Sequence, residues 1–183
     1  MKKLVLFFMT LGLVSCKEES VPKPSSQLSL KYPDGEYRSS ENSSNYYSFQ
    51  VNTSAKIKSK NSESLELYYP KMKATVYLTY KPVSNNINEL LRDAQKLTYE
   101  HVIKADDILE QPFLNPENKV YGMFYEVGGN AATNAQFYVT DSTKNFVTGS
   151  LYFYTKPNYD SILPATSYIK KDIKKIMETF VWK

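Results

Sequence analysis

The 183-residue chain contains one cysteine and one histidine, and each scarcity closes off chemistry. A single cysteine rules out an intrachain disulfide and a cysteine-built metal centre, so packing alone must supply the stability. One histidine, His101, leaves a zinc site or a nucleophile–base triad without most of its usual members. The longest apolar run, Leu4 to Val14, is about eleven residues, too short to cross ~30 Å of hydrocarbon as a helix. Gly128-Gly129 lacks a downstream Gly-Lys-Ser/Thr and is followed by strand formers, which excludes a phosphate loop.

The position of the one cysteine is informative. Lys2 and Lys3 precede the apolar run, small Ser15 follows it, and Cys16 comes next. A basic start, a short hydrophobic stretch and a small-residue cut site make a bacterial secretion signal. A cysteine directly after the cut matches a lipobox, in which Cys16 is acylated, for instance with palmitate, and becomes the new N-terminus. The alternative is an ordinary secretory signal with an incidental cysteine. The spacing, the flanks and the lack of any other cysteine favour the lipobox. A lipid then anchors the protein to a membrane. Removing residues 1–15 lowers the basic count from 23 to 21 against 19 acids. So even a balance has no electrostatic footprint for nucleic acid.

Residues 16–45 read as a lipidated N-terminus and tether, with Pro22, Pro24, Pro33, Gly35 and a Ser/Asn run at 39–45. Leu28–Tyr32 is the one short strand candidate there. A single domain is expected over 46–183. Strand formers occur at 46–51, 55–58 and 65–69. From Met72 to Tyr80, Met72, Ala74, Val76, Leu78 and Tyr80 share one face, while Lys73, Thr75, Tyr77 and Thr79 share the other. The period then lengthens. Ile87, Leu90, Leu91, Ala94, Leu97 and Thr98 form one stripe of a helix over about 87–103, with Asn86 and Glu89 placed to cap it. A proline loop is expected at 111–116. Strands follow at 119–127, 136–140 and 146–154, joined by hairpin loops at 128–132 and 141–145. A last helix carries Ala165, Tyr168, Ile169, Ile173, Ile176, Met177 and Phe180 inward, and Lys170, Lys171, Lys174 and Lys175 outward. This order predicts an α+β domain, an antiparallel sheet covered by two amphipathic helices. The arrangement is similar to the Mog1/PsbP-type sandwich, a likeness of fold only.

Three groups of residues imitate active sites. His101 lies at the edge of the first helix's apolar stripe, the usual place for a structural histidine. Asp106, Asp107 and Glu110 are expected between a helix and a proline loop, where acids cap or face solvent. The lysine row at 170–175 reads as a solvated helix face, with anionic headgroups or an acidic partner as its functional alternative. These patterns predict no enzyme, no metal and no cofactor. Sixteen tyrosines are the compositional oddity. They suit protein interfaces and sugar stacking, or merely follow the preference of aromatic residues for pleated sheets. Tyr125 and Tyr138 are the candidate partner contacts.

Longer runs carry a family resemblance. Tyr69-Pro70-Lys71-Met72-Lys73-Ala74-Thr75, Leu91-Arg92-Asp93-Ala94-Gln95, the stretch from Val120 to Ala132, Gln136–Ser142, Phe146–Tyr154 and Lys156–Ser161 resemble the gliding-motility lipoprotein GldD family of the Bacteroidota. Val21-Pro22-Lys23-Pro24 fits as well. The resemblance implies a cell-envelope lipoprotein required for gliding, associated with the type IX secretion machinery, and it brings no catalytic residues. Lys17-Glu18-Glu19 after Cys16 is similar to the lipoprotein export signal of that phylum, which implies the outer rather than the inner membrane. A docking or accessory role with protein partners of that machinery is the leading expectation. An envelope glycan- or peptide-binding lipoprotein is the alternative.

Overall fold

Alternating apolar and polar residues place much of the described chain in strands. The computed structural model describes residues 32–183 apart from 42, 101–104, 130 and 155–158. In chain order the strands are β1 (Tyr37–Ser39), β2 (Tyr47–Ser48), β3 (Gln50–Asn52), β4 (Lys56–Ser59), β5 (Ser64–Tyr69) and β6 (Ala74–Pro82). After helix α1 (Ile87–Tyr99) come β7 (Ala105–Asn115), β8 (Val120–Gly129), β9 (Thr133–Thr140) and β10 (Asn145–Phe153). Helix α2 (Tyr159–Glu178) and β11 (Val181–Trp182) complete the chain. The class is α+β, as expected.

β4 to β10 form one antiparallel sheet in the order β4-β5-β6-β10-β9-β8-β7. Its inner face carries Leu65, Leu67, Val76, Leu78, Phe124, Phe137, Val139, Val147 and Leu151. These pack with Ile169, Ile173, Ile176 and Met177 of α2 in one buried cluster. Gly149 lies opposite Phe137, and a Cβ there would come within 2.0 Å of the phenyl ring. The aromatic side chain fills the space left by the glycine.

The outer face of the sheet receives α1. Leu90 and Ala94 bury against Phe146, and the Thr98 hydroxyl donates to Gln136 Oε1 at 3.0 Å. Asn86 begins this helix through its backbone carbonyl, which accepts from Glu89 and Leu90. Its side chain turns back to accept from the Ser84 amide at 2.8 Å, so the expected side-chain cap does not form.

Four further expectations change. The proline loop at 111–116 is strand: Pro112 sits within β7 and pairs in register with Met123. β7 is an edge strand, and a residue without an N–H is tolerated where one side of the backbone has no ladder partner. Asp106, Asp107 and Glu110 therefore lie on this edge, exposed, where charge discourages further pairing. The ordered domain also begins ahead of Tyr46, because β1 pairs with β3. The Tyr37 hydroxyl donates to Asp172 of α2 at 2.7 Å. Finally, the chain continues past α2 into β11, which pairs with β2. Phe180 stacks on Tyr47 at 5.0 Å between centroids and meets Trp182 at 4.8 Å, so both ends of the domain share one aromatic cluster. Two residues are too few to register as a strand in sequence.

Candidate functional site

Several residues singled out in the sequence lie outside the described residues: Ser15, Cys16, Lys17, Glu18, Glu19, His101 and most of Leu28–Tyr32. The others fall in three places. Tyr125 is 3% exposed beside Ala94 and Thr98 of α1. Burial pushes its phenol well up from the ordinary range. Tyr138 is half-buried and stacks on Phe146 at 5.5 Å. Tyr125 offers no open ring to a partner, because α1 settles on this part of the sheet, while Tyr138 keeps partial exposure. Glu110 accepts a hydrogen bond from the exposed Tyr99 hydroxyl.

The lysine row divides. Lys170 and Lys174 reach back to Glu126 on β8, at 3.1 and 3.0 Å. Burial works against the Glu126 charge, but hydrogen bonds from Lys174 and Lys170 outweigh it and hold the carboxyl below its ordinary range. The Lys170 side chain is only 15% exposed, so it braces the helix on the sheet and is not part of a free cationic face. Lys171 remains exposed.

A second set of tyrosines lies on the other half of the outer face, half-buried except for the exposed Tyr154. Residue alternation places Glu66 and Tyr68 of β5, Thr75 and Tyr77 of β6, and Tyr152 of β10 on one side, and cross-strand register makes them neighbours. Lys58 of β4 continues the row opposite Glu66. Among the described residues, α1 packs on Tyr138 of β9 and Phe146 at the start of β10. Tyr154 stands 58% exposed just past the end of β10. Its phenol accepts from the Thr75 hydroxyl at 3.1 Å and pairs with the Tyr77 hydroxyl at 2.5 Å. Those two bonds hold Tyr154 below the usual phenol range, while the Tyr77 proton, shared with Tyr154, is pushed up to about 12. Tyr77 also meets Tyr152 edge-on, 5.8 Å between centroids. Lys58 lies 4.9 Å from the Tyr68 ring centroid, and Lys60 pairs with Glu66 at 2.6 Å. A shallow groove of about 400 Å³ runs between Lys58, Tyr68, Lys73 and Tyr154.

This surface combines flat rings, fixed hydroxyls and charges of both signs. It can stack, donate and accept. Among the described residues no three His, Cys, Asp or Glu gather as a metal site. No helix among them is long and apolar enough to cross a membrane. The signal that marks this face was present in the alternation: Thr75, Tyr77 and Thr79 share the polar side of β6. How much of a face is buried depends on where α1 comes to rest.

The chain matches no curated protein and no solved structure. It does match the family model described as gliding motility lipoprotein GldD over residues 17–182, nearly its whole length. Family membership brings lipid anchoring in the cell envelope and a part in gliding motility. The protein belongs to the gliding motility lipoprotein GldD family.

Proposed function

We propose that this lipoprotein is a non-enzymatic docking component, anchored at Cys16 to the outer membrane. In this reading it engages an envelope partner of the gliding and type IX secretion machinery through its tyrosine face. The observation that carries the reading is the set of Tyr68, Tyr77, Tyr152 and exposed Tyr154 on neighbouring strands of one face, with Tyr77 and Tyr154 fixed by each other and by Thr75. Large rigid rings with one polar end concentrate binding energy at protein interfaces. Lys17-Glu18-Glu19 supports the outer-membrane assignment, and the sheet between two helices supports the Mog1/PsbP-type likeness as part of the same reading.

The test is recovery of partners with the native lipoprotein from solubilised envelopes. Tyr68→Ala combined with Tyr154→Ala should abolish that recovery, and motility with it, at unchanged melting temperature and abundance. Unchanged recovery and motility would refute the docking face. His101→Gln should leave motility intact. Its loss in a folded, abundant variant would overturn the non-enzymatic reading. The exposed Tyr154 ring beside Glu66 and Lys58 also suits stacking on a sugar. Saturable glycan binding without protein recovery would favour that second reading.

A further inference from the structure

We propose that a second site, away from the tyrosine face and independent of the docking reading, binds a small carboxylic acid with an apolar body. The site is a cavity of about 360 Å³ walled by Tyr32, Pro33, Tyr69, Pro70, Met72 and Tyr168. Its size falls within the range of small-molecule pockets, as does its mostly apolar, aromatic lining. The walls come from the turn after β5, the β3–β4 turn, the start of the described chain and α2. Tyr32 and Tyr168 approach each other at 5.2 Å between centroids.

A buried polar layer fixes these walls from behind. Asn52, 2% exposed, donates to the Tyr168 hydroxyl at 2.9 Å and to Asp172 Oδ1 at 3.1 Å. The Asn52 side-chain oxygen accepts from the Ser54 amide and hydroxyl at 2.9 and 2.7 Å. One amide therefore positions two sides of the cavity, Tyr168 and the Ser54 turn. Tyr69 backs the cavity wall while only 1% exposed. Burial first, then the nearby Asp172 charge, holds its phenol well above the ordinary range. Neither the Tyr69 hydroxyl nor Asp172 Oδ2 has a hydrogen bond of normal geometry, and each lies within electrostatic reach of the other. The polar groups thus face one another behind the wall and leave the apolar surfaces to the cavity. A wall locked in this way loses little entropy when a ligand enters.

The charge around the cavity selects the ligand. Lys56 and Lys71 line it while remaining exposed, so their ammonium groups stand where it meets solvent. Neither makes an ion pair among the described residues, and no acidic residue lines the cavity there. A cation is repelled, and a sugar finds too few converging polar groups. An apolar body on the rings with a carboxylate at the lysines satisfies both parts, the second through a charge-assisted hydrogen bond.

The experiment is calorimetric titration of the lipoprotein in lipid nanodiscs, referenced to empty nanodiscs. The probes are 4-phenylbutyrate and its neutral amide. The acid should bind saturably, one per chain, about tenfold more tightly than the amide, as a difference of about 1.4 kcal/mol requires. Lys56→Ala combined with Lys71→Ala should bring the acid down to the amide's affinity. Met72→Trp, which fills the cavity, should remove binding of both at an unchanged melting temperature. Equal affinity for acid and amide would overturn the proposal, as would no binding at millimolar concentration or binding indifferent to these variants. Partner recovery through the tyrosine face should be the same in all of them, so each site fails or stands separately.

Discussion

Asp172 is the sharpest internal test of the packing, because a carboxyl 2% exposed in α2 must be either neutralised or compensated. Its Oδ1 accepts from Tyr37 at 2.7 Å and from Asn52 at 3.1 Å. Burial raises its proton affinity, while the bonds from Asn52 and Tyr37 lower it. Burial prevails, and the carboxyl stands above the ordinary value of 3.8. A proton therefore binds the folded state more tightly than the unfolded one. The resulting stability is fully present below the ordinary value and is lost as pH rises through the raised folded value. Asp172→Asn keeps an acceptor for Tyr37 and Asn52, adds a donor toward the Tyr69 hydroxyl and removes the charge. Its melting temperature should gain on that of the wild type as pH is raised from about 3 to about 7, the span over which a carboxyl of ordinary or raised pKa ionises. Asp172→Ala instead leaves the Asn52 and Tyr37 donors short of an acceptor. A buried unsatisfied donor costs about 1–3 kcal/mol. At about 2–4 °C per kcal/mol for a chain this size, the expected loss is about 2–12 °C. Thermal unfolding of the three proteins followed by circular dichroism at several pH values decides the matter. If Asp172→Asn loses ground to the wild type as pH rises, the carboxylate is net stabilised by Tyr37 and Asn52, and the argument from burial fails.

Three more expectations follow from packing and anchoring. Ile173→Ala, fully buried between α2 and the sheet, should lose about 2–5 kcal/mol in denaturant unfolding. Leu91→Ala, half-buried at the edge of α1, should lose less, and the reverse order would misplace both helices. Gly149→Ala should lower the melting temperature because its Cβ meets the Phe137 ring, and pairing it with Phe137→Leu should recover part of the loss. An unchanged melting temperature in the single variant would mean the ring moves aside freely. Cys16→Ala should leave the fold intact and release the protein from the membrane fraction, since the acyl chains provide the hydrophobic anchor. Incorporation of a fatty-acid analogue into Cys16→Ala would refute the lipidation site.

Much of this architecture was legible in the chain. Val76, Leu78 and Tyr80 alternate with Thr75, Tyr77 and Thr79, and a period of two allows only one division into faces. Ile169, Ile173, Ile176 and Met177 recur at helical spacing and do bury together. The proposed lipobox at Cys16 rests on a local sequence of residue types and needs no fold to be proposed. What stayed hidden depends on neighbours distant in the chain. Pro112 reads as a loop until β7 is known to be an edge. Lys170 reads as solvated until Glu126 of β8 comes to 3.1 Å from it. Tyr125 and Tyr77 are alike in sequence, both aromatic residues on alternating strands. Alternation says that a sheet has two faces, but only the three-dimensional placement of α1 buries Tyr125 while Tyr77 keeps partial exposure.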